Sequence, residues 1–124
     1  MQDTVVPAEN WTNPADLKVK FRHDLMVFDG STEGEEVEAH YEFENIGSDT
    51  LEIEIVSVCN CMKVEWTRTL ISPGQYGTVD VVFDTAGLSG PVSKDIDVIF
   101  KNTDKDGYPL VKRVALKGKV FKRI

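Results

Sequence analysis

The stretch Val37-Glu38-Ala39-His40-Tyr41-Glu42-Phe43-Glu44 decides the fold. Apolar side chains occupy every second position, with glutamates and one histidine between them. A period of two marks a strand with one buried face and one wet face. The same alternation recurs in both directions along the chain. Leu17, Val19 and Phe21 alternate with Lys18, Lys20 and Arg22, and Leu51, Ile53 and Ile55 alternate with Glu52 and Glu54. Val79, Val81 and Phe83 form another face, then Ile96, Val98 and Phe100, then Val114, Leu116 and Val120. Between these runs lie Asn45-Ile46-Gly47-Ser48-Asp49, Ser72-Pro73-Gly74, Ala86-Gly87, Ser89-Gly90-Pro91 and Asp104-Lys105-Asp106-Gly107. These are turn formers, because Gly and Asn reach positive φ cheaply and Pro withholds a ladder hydrogen bond.

No stretch of about ten residues carries an apolar stripe at helical spacing with caps. About seven short strands with frequent turns predict an all-β fold, an immunoglobulin-like antiparallel β-sandwich. The predicted domain covers residues 17–124. Parity sends Phe21, Phe43, Phe83 and Phe100 into its core and His40 outward with the glutamates, where it is solvated and neither ligand nor base. Residues 1–16 contain Pro7 and Pro14 and show no alternation, so they read as a flexible N-terminal arm or linker. Asn10-Trp11-Thr12 fits a glycosylation sequon, meaningful only in a eukaryotic secreted protein.

The chain of 124 residues has 14 Lys and Arg against 21 Asp and Glu, a formal charge of -7. That balance argues against a general nucleic-acid binder, whose affinity rests on neutralising phosphates. No apolar run approaches the ~20 residues of a transmembrane helix, so no transmembrane segment is predicted. The charge is uneven. From Asp24 to Met62 there is no Lys or Arg and there are 11 acids, leaving 10 acids against all 14 basic residues elsewhere, a net of +4. Within that segment Glu38, Glu42, Glu44, Glu52 and Glu54 have two readings. They are solvated strand faces, or they form an acidic surface for a cationic partner.

Other features carry no chemistry. Gly87-Leu88-Ser89-Gly90 lacks the pattern of a nucleophile elbow, and Asp104, Asp106 and Gly107 begin a calcium-type loop that no Glu closes. No catalytic residue and no cofactor follow from the sequence.

Several landmarks stand in a set order: Phe28-Asp29-Gly30, Asn45-Ile46-Gly47, Leu51-Glu52-Ile53, Cys59-Asn60-Cys61, Ile71-Ser72-Pro73-Gly74, Phe83-Asp84-Thr85 and Leu116-Lys117-Gly118. Over roughly residues 21–120 this succession resembles a bacterial immunoglobulin-like family, the domain of unknown function DUF1573. The resemblance implies a sandwich related to major-sperm-protein and ASH-type domains. It also implies an exported bacterial protein, periplasmic or at the cell surface, in some cases a lipoprotein, with no established catalytic residues. Met1 to Asp16 shows no signal-type segment, so export implies a leader already removed. Asn60 stands where the family pattern has Gly, and Met62 where it has Thr.

The Cys59-Asn60-Cys61-Met62 loop leaves four readings open. In an extended strand, Cα atoms two residues apart are about 6.6 Å from each other, so a disulfide requires the backbone to curl. Two reduced, buried thiols are the second reading, and continued strand parity would turn both inward. Copper(I) held by Cys59, Cys61 and Met62 is the third. Thiol–disulfide exchange is the fourth.

The expected function is a non-catalytic interaction or assembly module that binds another protein through an edge strand or loop surface. The alternative is a copper(I)-handling or thiol-redox protein using the Cys59–Met62 loop. An uncovered edge strand would also permit a weak homodimer.

Overall fold

The computed structural model describes residues 19–124. The predicted arm, the sequon and the first residues of the earliest predicted strand lie outside the described residues. Nine strands follow in order: β1 (Val19–Phe21), β2 (Leu25–Val27), β3 (Ser31–Thr32), β4 (Glu36–Asn45), β5 (Ile53–Ser57), β6 (Met62–Trp66), β7 (Tyr76–Asp84), β8 (Gly90–Thr103) and β9 (Pro109–Phe121). Four of them form one sheet in the order β1-β4-β7-β6. The other runs β2-β9-β8-β5, with β3 also paired to β9.

The decisive stretch lies in β4, which pairs antiparallel with β7 from Glu36↔Asp84 to Glu44↔Tyr76. Its inward residues Tyr41 and Phe43, with Val79, Val81 and Phe83 of β7, meet Ile96, Val98 and Phe100 of β8 and Val114 and Leu116 of β9. Each of these is at most 2% exposed. Phe43 meets Phe100 edge-on with ring centroids 5.8 Å apart, joining the two sheets. Burying one such side chain contributes about 2–3 kcal/mol, so this interior dominates stability.

Three expectations need correction. Among the described residues the strands number nine rather than about seven, and the sheets are not wholly antiparallel. The extra strands, β2 and β3, span three and two residues and pair parallel with β9, in registers such as Leu25↔Ala115 and Ser31↔Val120. They are too short to show alternation, and the gap between them is shaped by side-chain packing. A Cβ at Gly118 would overlap the Phe28 ring, and one at Gly30 would lie 2.7 Å from the Phe121 ring. The third correction concerns Ile55, which is 49% exposed rather than inward. A register shift between Ile53 and Ile55 in the pairing with β8 breaks the parity, and Val56 takes the buried place.

Two polar residues at inward positions seal the ends of the β4–β7 pair. Asn45 is fully buried and its side-chain amide donates to the carbonyls of Asp49 (2.8 Å) and Ile71 (2.9 Å). Its side-chain oxygen accepts from the Gly47 amide at 3.0 Å. At the far end Thr85, also fully buried, donates its hydroxyl to the Glu35 carbonyl at 2.6 Å and accepts from the Gly34 amide at 3.0 Å. Gly34 has φ 95°, a left-handed geometry suited to glycine. The Asn-x-Gly, Ile-x-Pro-Gly and Phe-Asp-Thr landmarks are therefore parts of two loop clamps.

Candidate functional site: the Cys59–Cys61 turn and the β6 edge

β5 belongs to one sheet and β6 to the other, so residues 58–61 carry the chain across the margin of the sandwich. β5 stops at Ser57, which ends the parity that would have sent both cysteines inward. The backbone instead turns, with the Met62 amide donating to the Cys59 carbonyl at 3.2 Å. The curl brings the two Cα atoms to 5.2 Å, and Cys59 and Cys61 are joined in a disulfide. That separation lies well within the disulfide range, unlike that of an extended strand.

The soft ligands do not share one exposed side. Cys59 and Asn60 are exposed and Cys61 is half-buried, whereas Met62 is 7% exposed and belongs to the core. Among the described residues no group of three His, Cys, Asp or Glu side chains is placed to hold a metal ion.

Beyond the turn, β6 is an edge. Among the described residues it pairs with β7 alone, in the register Met62↔Phe83 to Trp66↔Val79. Backbone groups of successive residues in an antiparallel strand point alternately to either side. The Asp84 amide donates to the Cys61 carbonyl at 2.8 Å and the Thr67 amide to the Thr78 carbonyl at 3.1 Å. These bonds bracket the ladder and assign Cys61, Lys63, Glu65 and Thr67 to the β7 side. The main-chain groups of Val64 and Trp66 consequently face the open side. Lys63 and Glu65 present exposed side chains on the outer face. Arg68 closes the far end, its guanidinium 3.8 Å from the Trp66 ring centroid and 3.7 Å from the Glu65 carboxylate.

The five glutamates singled out in the sequence are not brought together. Glu38, Glu42 and Glu44 lie on the outer face of the four-stranded sheet, where Glu42 is 3.7 Å from Arg22 and Glu44 is paired in register with Lys20. Glu54 lies on β5 in the other sheet, and Glu52 just before it bonds Lys101 at 3.0 Å. His40 is exposed and its Nδ1 pairs with the Asp80 carboxylate. A surface cleft of about 280 Å³ beside β1 is lined by Lys20, Phe21, Arg22, Glu42, Glu44 and Tyr76. Its Arg22 is taken up by Glu42, and Glu44 is paired in register with Tyr76.

Sequence reasoning missed Asn45, Thr85 and the hydroxyl of Tyr41. Tyr41 is 1% exposed and donates to the Ala115 carbonyl at 2.7 Å, a hydrogen bond from one sheet to the other. Burial disfavours its phenolate and pushes its pKa up to about 12. The available signal was a polar atom at an inward parity position, at 41, 45 and 85 alike.

Two facing sheets, aromatic packing between them and sealed end loops define an immunoglobulin-like sandwich. Its fold is shared with the ASH/PapD-like domain 7 of human CEP192, at 18% identity and TM-score 0.70, over 100% of this chain and 97% of that one. The chain belongs to the family described as protein of unknown function (DUF1573), whose model matches residues 19–120. WR4, a C. elegans MSP family member, is similar at 10% identity and TM-score 0.56, over 83% of this chain and 97% of that one. The Vibrio cholerae VesB protease is similar at 15% identity and TM-score 0.64, over 91% of this chain but only 34% of the protease. This chain thus spans about a third of the protease's length, and these likenesses concern the fold. No curated protein matches the chain.

Proposed function

We propose that this chain is a non-catalytic interaction module of an exported bacterial protein, binding another protein by strand addition along β6. The observation that carries the reading is the open side of β6, where the main-chain groups of Val64 and Trp66 have no strand beside them among the described residues. Strand addition draws affinity from such groups and selectivity from the flanking side chains. The Cys59–Cys61 disulfide supports export, since such bonds persist in oxidising compartments. The copper alternative loses support from the inward position of Met62.

The test uses Val64→Pro. Proline at an edge position whose N–H faces outward removes a docking donor without removing a ladder bond. Wild-type and variant domains would be immobilised and offered a cell-envelope extract of the source bacterium. Each captured protein would then be purified and its binding measured. A partner whose binding is lost in Val64→Pro, while circular dichroism shows the sandwich intact, is the expected result. Partners that bind both forms equally would overturn the assignment to β6.

A further inference from the structure

We infer that the strand received by this edge is β6 of a second copy, paired antiparallel about Val64 in a two-fold dimer. The inference rests on reading β6 as the binding edge and names its occupant. The outward main-chain groups belong to alternate residues, Val64 and Trp66, with the Met62 carbonyl completing the set. This set is symmetric about Val64. Placing Val64 opposite the Val64 of a second copy lets the two residues exchange both of their hydrogen bonds, as a closely spaced antiparallel pair does. Trp66 then stands opposite Met62, its N–H donating to the Met62 carbonyl. The Met62 N–H, already given to Cys59, is not required.

Side-chain charge obeys the same symmetry. In this register Lys63 of each copy faces Glu65 of the other, so two opposite-charge pairs form on the outer face. Residues directly opposite in a non-hydrogen-bonded pair lie about 4.5 Å apart, close enough for both ion pairs. The isolated domain leaves Glu65 poorly placed. Its register partner on β7 is Asp80, a carboxylate already paired with His40, and its cationic neighbour is Arg68 at 3.7 Å. A lysine arriving on the open side gives Glu65 a cation directly opposite it. No other register gives this result. A shift of two residues between the strands sets Lys63 against Lys63 or Glu65 against Glu65, and a shift of one turns inward side chains outward.

The interface is small. Five residues cover only about 17 Å of edge, too little contact to bury the roughly 1,200 Å² that marks a stable complex. Association is therefore weak, concentration-dependent and tuned by the two ion pairs. A chain presented at high local density, on a surface or in tandem, would reach it first.

Sedimentation equilibrium of residues 1–124 from micromolar to millimolar protein tests the inference. The wild type is expected to show a monomer–dimer equilibrium. Lys63→Glu and Glu65→Lys each convert two attractive pairs to repulsive ones and should weaken it roughly tenfold. The double variant Lys63→Glu/Glu65→Lys restores opposite charges in the same register and should recover wild-type association. A wild type that stays monomeric, singles that dimerise as well as the wild type, or a double variant that stays weak would each overturn the homodimer. Val64→Pro separates the two readings. A monomeric wild type that loses a different partner in Val64→Pro leaves the edge reading standing. Dimerisation unaffected by Val64→Pro removes both.

Discussion

Asn45 offers the sharpest test of how the sandwich is held together. Its side chain makes three hydrogen bonds, two donated to the Asp49 and Ile71 carbonyls and one accepted from the Gly47 amide, and it is fully buried. Truncation in Asn45→Ala removes all three. The Ile71 carbonyl keeps the Leu51 amide at 2.9 Å, so it is not stranded, whereas the Gly47 amide and Asp49 carbonyl must find water. At about 1 kcal/mol for each bond, with a small cavity added, the cost should be about 2–4 kcal/mol. That is a large share of the ~5–15 kcal/mol that stabilises a domain of this size. Asn45→Asp makes the argument refutable. The carboxylate keeps the shape and can still accept from Gly47, but it cannot donate to two carbonyl oxygens and is buried against them. Near pH 7 its cost should equal or exceed that of alanine. The environment raises the folded pKa of such an aspartate above its unfolded value of about 3.9. The sign follows: the penalty is smallest below about pH 4, where the carboxyl is protonated in both states, and grows as pH rises through the folded pKa. Urea denaturation of wild type, Asn45→Ala and Asn45→Asp at both pH values would measure this. An Asn45→Asp protein as stable as wild type, or one whose penalty does not change with pH, would show that the amide does not donate as described.

Three further outcomes follow from the same geometry. Tyr41 has a folded pKa near 12, raised by burial, so its contribution is intact below about pH 10 and lost as pH climbs towards 12, amounting to ~2–3 kcal/mol. Alkaline denaturation should therefore be shallower in Tyr41→Phe, and parallel curves for the two proteins would refute it. Gly118→Ala drives a Cβ into the Phe28 ring and should cost about 1–3 kcal/mol; the same change in a Phe28→Ala background should cost little, and a double-mutant cycle measures the coupling. The disulfide spans a sequence separation of only two residues, so chain-entropy arguments give Cys59→Ser/Cys61→Ser a loss of just ~1–2 kcal/mol, readable as a small drop in Tm.

The sequence disclosed the sandwich because the long strands obey a period of two. In β4, β7 and β9 the inward positions predicted by parity are buried, as Tyr41, Phe83 and Leu116 are, or half-buried against the core, as Val37 and Ala39 are. Parity failed where the backbone departs from a regular strand. The irregularity after Ile53 exposes Ile55, and no local composition announces it. β2 and β3 were illegible because pairing with β9, rather than any alternation of their own, makes them strands. The cysteine turn was half legible. Spacing showed that a disulfide needs a curl, but only the end of β5 at Ser57 and the burial of Met62 show where the curl begins and which way its neighbour faces. The open edge of β6 was out of reach, since strand order is set by long-range pairing that a linear pattern does not encode.

The positions of Asn45 and Thr85 bear on how the molecule opens. One seals β4 where it ends and β7 begins, through the Asn45 amide donating to the Gln75 carbonyl at 2.9 Å. The other seals the opposite extremity, through the Thr85 amide donating to the Glu35 carbonyl at 3.3 Å. A ladder fastened at both ends has no free terminus from which to fray. Amide protons of β4 and β7 should then exchange with solvent deuterium only through global unfolding, while those of β1 and β6 escape by local opening.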